Sequence, residues 1–321
     1  MADRGVSPDK PIGPLQHVVW RIEAVGYDLF TFLVRLLPTD TASDFGGWLL
    51  KTLGPLTPAH QVAIQNLKIA FPEHDAAWLT RVLMAQWEEL GRTFAEFPLM
   101  DRILPSTGRV EVINGERLTE IRDSGTPVVF ISGHFSNWEV MPAAIVDSGV
   151  TCLMTYRAAN NPYVDARIKA GRFRYGVRLF GPKGGDGAKE LLTVMARGES
   201  VALMNDQKFN TGIATPFFGS EVFTAPGPTR LAHRFGTVLQ PMSVERVHKA
   251  RFRAIVHPPI LVDKTGDRNH DIATTVCKIS AFIEARVRAR PEEWFWVHKR
   301  WPKELYKRRR RKGRPEPETM A

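Results

Sequence analysis

The chain has 321 residues, of which 43% are apolar, enough to form the core of one large domain or of two smaller ones, and we favour one domain. Its two cysteines exclude a disulfide framework and a four-cysteine metal site, and they indicate a reduced, cytosol-facing protein. Much of the formal net charge of +10 lies in the C-terminal segment 303–321, which can bind anionic lipid, bind nucleic acid phosphates, or remain a solvated tail.

The N-terminal region, residues 1–58, contains a predicted amphipathic helix. Segment 1–14 lacks the basic, apolar and small-residue order of a cleavable signal. From Leu15 to Leu37 apolar residues recur at helical spacing, and the polar residues of another side are His17, Arg21, Asp28 and Arg35. Charges make a membrane-spanning helix costly, whereas a helix in the lipid interface tolerates them, and an ordinary core helix remains the alternative. We predict monotopic attachment.

The remainder of the chain is predicted to be an α/β domain over residues 59–302, followed by a basic tail without fixed structure over 303–321. Two helices are expected between Ala59 and Leu99, with a break at Phe71-Pro72. The predicted strands are 110–113, 128–131, 152–155, 201–204, 238–241 and 252–256. The predicted helices are 137–146, 162–175, 187–197, 228–235 and 270–288. This alternation of strands and helices predicts a single domain with a mostly parallel central sheet flanked by helices.

His134 is the first candidate for chemistry, because it directly follows the predicted strand 128–131 and the turn residue Gly133. Ligands of open α/β sheets gather beyond the carboxyl ends of the strands. A neutral imidazole can take a proton from a hydroxyl, and a carboxylate on its other ring nitrogen fixes the tautomer. Glu139 is the predicted orienting carboxylate. The spacing alone is weak, since about one such pair is expected by chance, and a structural histidine is the alternative.

Several short motifs, taken together and in order, resemble the lipid A late acyltransferase family. The likeness runs from Asn66 to Trp301. The motifs are Asn66-Leu67, Phe71-Pro72, Gly133 to Glu139, Tyr156-Arg157, Asn161-Pro162, Gly171-Arg172, Asp206-Gln207, Pro216 to Gly219, and Trp294 to Trp301. The resemblance implies a glycerolipid-acyltransferase-like fold at the cytoplasmic face of a bacterial inner membrane. It also implies transfer of a fatty acyl chain from acyl carrier protein to a lipid A precursor.

The same resemblance implies roles for individual residues. His134 would be the base, paired with Glu139, and Arg172 and Asp206 would complete the catalytic set. A guanidinium such as that of Arg172 can stabilise an oxyanion or a substrate phosphate, although an arginine on a basic helix is otherwise a surface residue. The expected substrate-binding residues are Arg157, Gln207, Phe217 and Phe218. The two phenylalanines can line an acyl channel or simply form core.

Two further patterns have more than one interpretation. The glycine-rich segment 181–187 fits neither nucleotide fingerprint, so a turn before a helix is expected and no nucleotide is assigned. Segment 294–301 interleaves aromatic and cationic residues, which suits a membrane-interface belt, stacking on bases, or packing against the sheet. We favour the interface, because of the neighbouring basic tail.

The sequence therefore predicts an O-acyltransferase that is peripheral or monotopic on an anionic membrane surface, with no metal or other cofactor and no specific nucleic acid partner. The donor can be acyl carrier protein or coenzyme A. The open alternatives are an acyltransferase acting on a lysophospholipid or glycolipid and a non-enzymatic membrane or nucleic-acid adaptor. A serine hydrolase lacks support because no G-x-S-x-G elbow occurs.

Overall fold

The computed structural model describes residues 13–180 and 187–306, and the predicted turn at 181–186 lies outside them. The helices in these residues are α1 (Pro14–Leu36), α2 (Thr39–Leu53), α3 (Pro58–Ala70), α4 (Ala76–Glu96), α5 (Glu116–Ser124), α6 (Val140–Asp147), α7 (Pro162–Phe173), α8 (Gly187–Ala196), α9 (Gly227–Phe235) and α10 (Arg268–Ala289). The strands are β1 (Val110–Ile113), β2 (Val129–Ser132), β3 (Cys152–Thr155), β4 (Arg178–Phe180), β5 (Ser200–Met204), β6 (Ile213–Phe217), β7 (Ser220–Thr224), β8 (Leu239–His248) and β9 (Arg251–Val256).

Seven strands form one sheet in the order β1-β9-β8-β2-β5-β3-β4. Every neighbouring pair is parallel except β8 and β9, which run antiparallel. Strands β6 and β7 form a separate antiparallel hairpin. The predicted single α/β domain with a mostly parallel sheet is therefore confirmed.

Helices cover both faces of the sheet. Alternate residues of β2 pack into two different apolar clusters, one on each face. Val129 and Ile131 pack into the first cluster, which also contains residues of α3, α4 and α10. Phe130 packs into the second cluster with residues of α6. This two-sided burial is typical of parallel strands and explains why the strand is apolar at every position except its last residue.

All six predicted strands are present, and β1 and β3 begin and end where predicted. The missed elements are β4, the β6–β7 hairpin, α2 and α5. The hairpin turn contains Phe218 and Gly219 with positive φ values of 50° and 67°, and a bulky residue in that region is uncommon. Helix α2 was hidden because Gly46-Gly47 interrupts its pattern, yet Gly46 is needed where its backbone meets that of Gly91 in α4.

Helix α1 begins and ends one residue before the predicted segment 15–37, and charged residues on its polar side contact the protein. Arg35 pairs with Asp101, and Asp28 pairs with Arg167 of α7. Its exposed apolar residues are Leu15, Val18, Val19, Ile22, Val25, Leu29, Phe30, Phe32, Leu33 and Leu36. Within the described ranges, no helix has both the length and the apolar character needed to cross a bilayer.

The prediction that segment 294–301 forms a membrane-interface belt is wrong. Trp294, Trp296 and Trp301 are 1%, 0% and 0% exposed and belong to the first apolar cluster. The ring of Trp296 stacks on that of Trp301 at 6.5 Å, so the aromatic residues pack against each other. Tyr306 extends this packing and donates its hydroxyl to Asn66. The basic residues from 307 onward lie outside the described residues.

Candidate active site

The candidate site forms where two neighbouring parallel strands end. His134 follows β2, and Asp206 follows β5, its neighbour in the sheet. Because the carboxyl ends of parallel strands lie at one edge, residues 72 positions apart come into contact. Gly133 allows this approach, since a Cβ there would meet the ring of Phe135 and the Cβ of Asp206.

Asp206, and not Glu139, is the carboxylate that orients His134. Its Oδ1 lies 2.8 Å from Nδ1 of His134, and its Oδ2 accepts the backbone N–H of His134 at 2.7 Å. Oδ2 also accepts the indole N–H of Trp294 at 2.8 Å. The expected contact between the imidazole and Glu139 is therefore corrected. Glu139 lies in the last turn before α6, where Arg172 and Tyr175 hold its carboxylate.

The charges at this pair favour an ionised carboxylate and a basic imidazole. Burial opposes ionisation of Asp206, but the charge and hydrogen bonds of His134 outweigh it and lower the pKa of the carboxyl. Burial likewise opposes protonation of His134, yet the charge and hydrogen bond of Asp206, with a smaller contribution from Glu139, raise its pKa. An ionised Asp206 is only an acceptor, so Nδ1 of the neutral ring carries the proton and Nε2 keeps its lone pair.

Glu139 and Arg172 form a second buried pair beside His134. Arg172 donates from both Nε and NH2 to the carboxylate of Glu139, and Tyr175 donates its hydroxyl to the same carboxylate at 3.0 Å. Burial opposes the charge of Arg172, but Glu139 and Tyr175 raise the pKa of the guanidinium. Such fork-to-carboxylate pairs fix orientation as well as charge. The pair therefore joins α7 to the start of α6.

A buried polar network holds the loop between His134 and Glu139. Asn137 donates to Glu96 at 2.9 Å and accepts the backbone N–H of Glu139 at 3.1 Å. Ser136, whose φ of 47° is unusual for a residue other than glycine, donates its backbone N–H to the carbonyl of Glu293 at 2.7 Å. Arg246 neutralises Glu96 through two hydrogen bonds. Hydrogen bonds of Ser136 and Asn137 therefore fix the conformation of this loop.

A cavity of about 220 Å³ opens beside the imidazole. His134, Glu139 and Arg172 line its polar side together with Tyr156 and Arg157. Its apolar lining comprises Trp138, Met141, Pro142, Met154, Val177, Leu179, Ala202, Leu203 and Met204. The cavity is small beside the roughly 300–1,000 Å³ of most ligand pockets, and it combines a polar side with an apolar side.

The expected substrate-binding residues fall in three different places. Arg157 lines the cavity, and among the described residues it has no hydrogen-bonding or ionic partner. Gln207 is exposed and outside the cavity lining, and its carbonyl accepts from Arg300. Phe217 and Phe218 are 0% and 6% exposed, and they belong to the first apolar cluster. Their interpretation as core residues, not an acyl channel, fits these positions.

Sequence reasoning missed the residues that support the site from a distance. Trp294 reaches Asp206 from 88 positions away, and Glu96 reaches Asn137 from 41. No local pattern marks these contacts. The pairing of His134 with Asp206 was accessible, because both residues directly follow predicted strands and such residues meet at one edge of a parallel sheet.

Comparison with known proteins decides the family. The sequence profile described as bacterial lipid A biosynthesis acyltransferase matches residues 20–303. The chain belongs to this family. Curated relatives include the lipid A biosynthesis palmitoleoyltransferase of Escherichia coli (strain K12), 24% identical over 249 residues that cover 75% of this chain and 78% of the relative. The lipid A biosynthesis lauroyltransferase of the same organism is 22% identical over 251 residues, with the same coverage of each chain.

A lipid A biosynthesis acyltransferase of Shigella flexneri is also 24% identical over 249 residues, covering 75% of this chain and 78% of the relative. Membership in the lipid A biosynthesis acyltransferase family makes the protein an O-acyltransferase. The matched region begins within α1 and includes the entire candidate site. The predicted resemblance is thus confirmed, at low identity.

Proposed function

We propose that the protein transfers a fatty acyl chain from acyl carrier protein to a hydroxyl of a lipid A precursor at the cytoplasmic face of the bacterial inner membrane, with His134 as general base. The observation that carries this proposal is the hydrogen bond of Nδ1 of His134 to buried Asp206, which leaves Nε2 as the basic atom of a ring that lines the cavity. The names of the relatives supply the lipid acceptor.

The reaction needs one proton carrier and no covalent enzyme intermediate. Nε2 of His134 takes the hydroxyl proton as the oxygen attacks the thioester carbonyl carbon. When the C–S bond breaks, the imidazolium returns the proton to the sulfur, so the ring ends neutral. Asp206 stabilises the imidazolium between these steps by its charge at 2.8 Å. The products are the ester and the free carrier thiol.

Two groups at the cavity fit the substrates. The apolar walls suit the hydrocarbon of the acyl donor, because burial of each methylene stabilises by about 0.8 kcal/mol. Arg157, which stands unpaired among the described residues at the cavity mouth, suits an anionic group such as a phosphate. Arg172 is less available for that task, since its Nε and one of its terminal nitrogens already donate to Glu139.

The exposed apolar side of α1 supports peripheral or monotopic membrane attachment. The helix presents Ile22, Val25 and Leu29 to solvent at 66%, 64% and 56%, while its polar side is bonded to the protein. An apolar face of this size on a soluble monomer is unusual and typical of an interface with lipid. The lipid acceptor of the proposed reaction lies in that interface.

Transfer from radiolabelled acyl carrier protein to a lipid A precursor tests the proposed function. Wild-type protein should form labelled lipid, and His134→Gln should lose transfer with an unchanged circular dichroism spectrum. His74→Gln is the matched control, because His74 is a partly exposed surface histidine that stacks on Trp78 away from the cavity. Full transfer by His134→Gln would contradict the base assignment. Absence of transfer by the wild type, with acylation of a lysophospholipid instead, would replace the acceptor.

A further inference from the structure

A chain of aromatic rings runs from the surface to His134 and shares Trp138 with the cavity lining. Phe94 is 40% exposed, and its ring lies 5.7 Å from that of Phe97. Phe97 lies 5.7 Å from Trp138, and Trp138 lies 5.2 Å from the imidazole. Phe295 closes the group, at 5.5 Å from Trp138 and 5.9 Å from His134. We call Phe94, Phe97, Trp138 and Phe295 the aromatic strip.

The strip and the cavity both reach the imidazole, and they overlap at one residue. Of the strip residues, only Trp138 also lines the cavity. The cavity continues instead toward Met154, Val177 and Leu179, on β3, before β4 and on β4. The strip runs from Trp138 through Phe97, which directly follows α4, to Phe94 in the last turn of α4. His134 thus lines the cavity and also contacts two rings of the strip.

The segment that begins at Phe97 contacts the end of α1. Arg35 donates to the carbonyl of Pro98, the residue after Phe97, and to the carboxylate of Asp101. Leu33 and Leu36, in the same turns of α1, are 52% and 65% exposed. Pro98, the neighbour of Phe97 in the chain, thus contacts the helix that presents these exposed apolar residues.

The two substrates of an acyl transfer between lipids need different surroundings. The donor chain arrives on a protein carrier and must leave water altogether, which fits the walled cavity. The acceptor lipid already lies in a bilayer and only has to bring one chain and its hydroxyl to Nε2. A row of partly exposed aromatic rings gives such a chain an apolar surface to bind.

We propose that the aromatic strip is the docking surface for an acyl chain of the acceptor lipid. This inference rests on the proposed function, because it assigns the strip to the lipid acceptor of that reaction and the cavity to its acyl donor. The hydroxyl of the docked lipid then meets Nε2 from the strip side, and the thioester carbonyl meets the same atom from the cavity side.

Steady-state kinetics with Phe94→Ser and Phe97→Ser test this division. Loss of the contact of one ring should raise KM for the lipid acceptor by about tenfold, since about 1.4 kcal/mol of binding corresponds to that factor. KM for the acyl donor should change by less than about twofold, a range within the ordinary effect of a distant surface substitution. Leu261→Ser is the matched control, because Leu261 is 65% exposed and belongs to neither surface. A rise in the donor KM, or no change in either, would overturn the proposal.

A binding measurement keeps this inference separate from the activity. Vesicles of a hydroxyacylated glycolipid with brominated chains should quench the fluorescence of Trp138, isolated as the difference between wild type and Trp138→Phe. The Phe94→Ser, Phe97→Ser double variant should lose that quenching at an unchanged amount of bound vesicle. Quenching that persists in the double variant would overturn docking on the strip. If wild type shows no transfer but this quenching pattern holds, the proposed reaction fails and the docking surface stands.

Discussion

Replacement of Asp206 by Asn should change both the rate and the pH dependence of transfer. The substitution keeps the shape of the side chain but removes the charge that faces Nδ1 of His134 at 2.8 Å. Burial then remains the main influence on the imidazole, and it lowers the pKa. The acid limb, the pH at which kcat/KM falls to half on the acidic side, should lie above 6.5 in wild type and below 6.5 in Asp206→Asn.

The rate should fall by about 10⁴-fold in kcat, because an amide at this position no longer holds the imidazole in the Nδ1–H tautomer, and this factor corresponds to about 5.4 kcal/mol of transition-state stabilisation. Glu139→Gln is the contrasting variant. Glu139 makes a smaller contribution than Asp206 to the raised pKa of His134, so the acid limb of Glu139→Gln should stay above 6.5. The assay is initial transfer rate from pH 5 to 9 with both variants checked for folding by circular dichroism. An acid limb that moves in Glu139→Gln and stays in Asp206→Asn would refute the reasoning.

Three further predictions concern the supports of the site. Glu139→Gln and Arg172→Gln should each lower the free energy of unfolding in urea by about 3–5 kcal/mol, because each single change leaves one buried charge or donor set unpaired. The double variant should lose clearly less than the sum of the two single losses. Additive losses would contradict the pairing. Burial raises the pKa of Glu293 from 4.5 to about 8, so the folded state holds a proton that the unfolded state loses. The stability of wild type relative to Glu293→Gln should therefore fall as pH rises from 4.5 to 8, measured by thermal unfolding, and a constant difference would count against it. Gly91→Ala should lower Tm, because a methyl group there meets the carbonyl of Gly46 and forces α2 and α4 apart; an unchanged Tm in calorimetry would contradict this close packing.

The parallel part of the sheet could be predicted from the sequence because β2, β3 and β5 are short and mostly apolar. The segment Val129 to Ile131 is buried on both faces, so no alternation is needed to find it. Strands β6 and β7 were missed since Pro216 and Glu221 interrupt their apolar patterns. Helix α5 was missed for a related reason, as Leu118 is the one fully buried residue in it.

The composition of the site was predictable, but its connections were not. His134 and Asp206 were found as residues that follow strands, while the carboxylate assigned to the imidazole was wrong because Glu139 is near in sequence and Asp206 is near in space. The tryptophans of segment 294–301 were wrongly predicted to lie at a membrane interface for another reason. Aromatic residues beside cations suit both an interface and a core, and only the three-dimensional contacts distinguish them.

The central claim is that Nε2 of His134 is a free base because Asp206 holds the proton on Nδ1. The ¹⁵N chemical shifts of the His134 ring, assigned by comparison with His134→Gln, test it most directly. At a pH above the acid limb, we predict a protonated Nδ1 and an unprotonated Nε2 in wild type. A neutral ring with its proton on Nε2 would contradict the account.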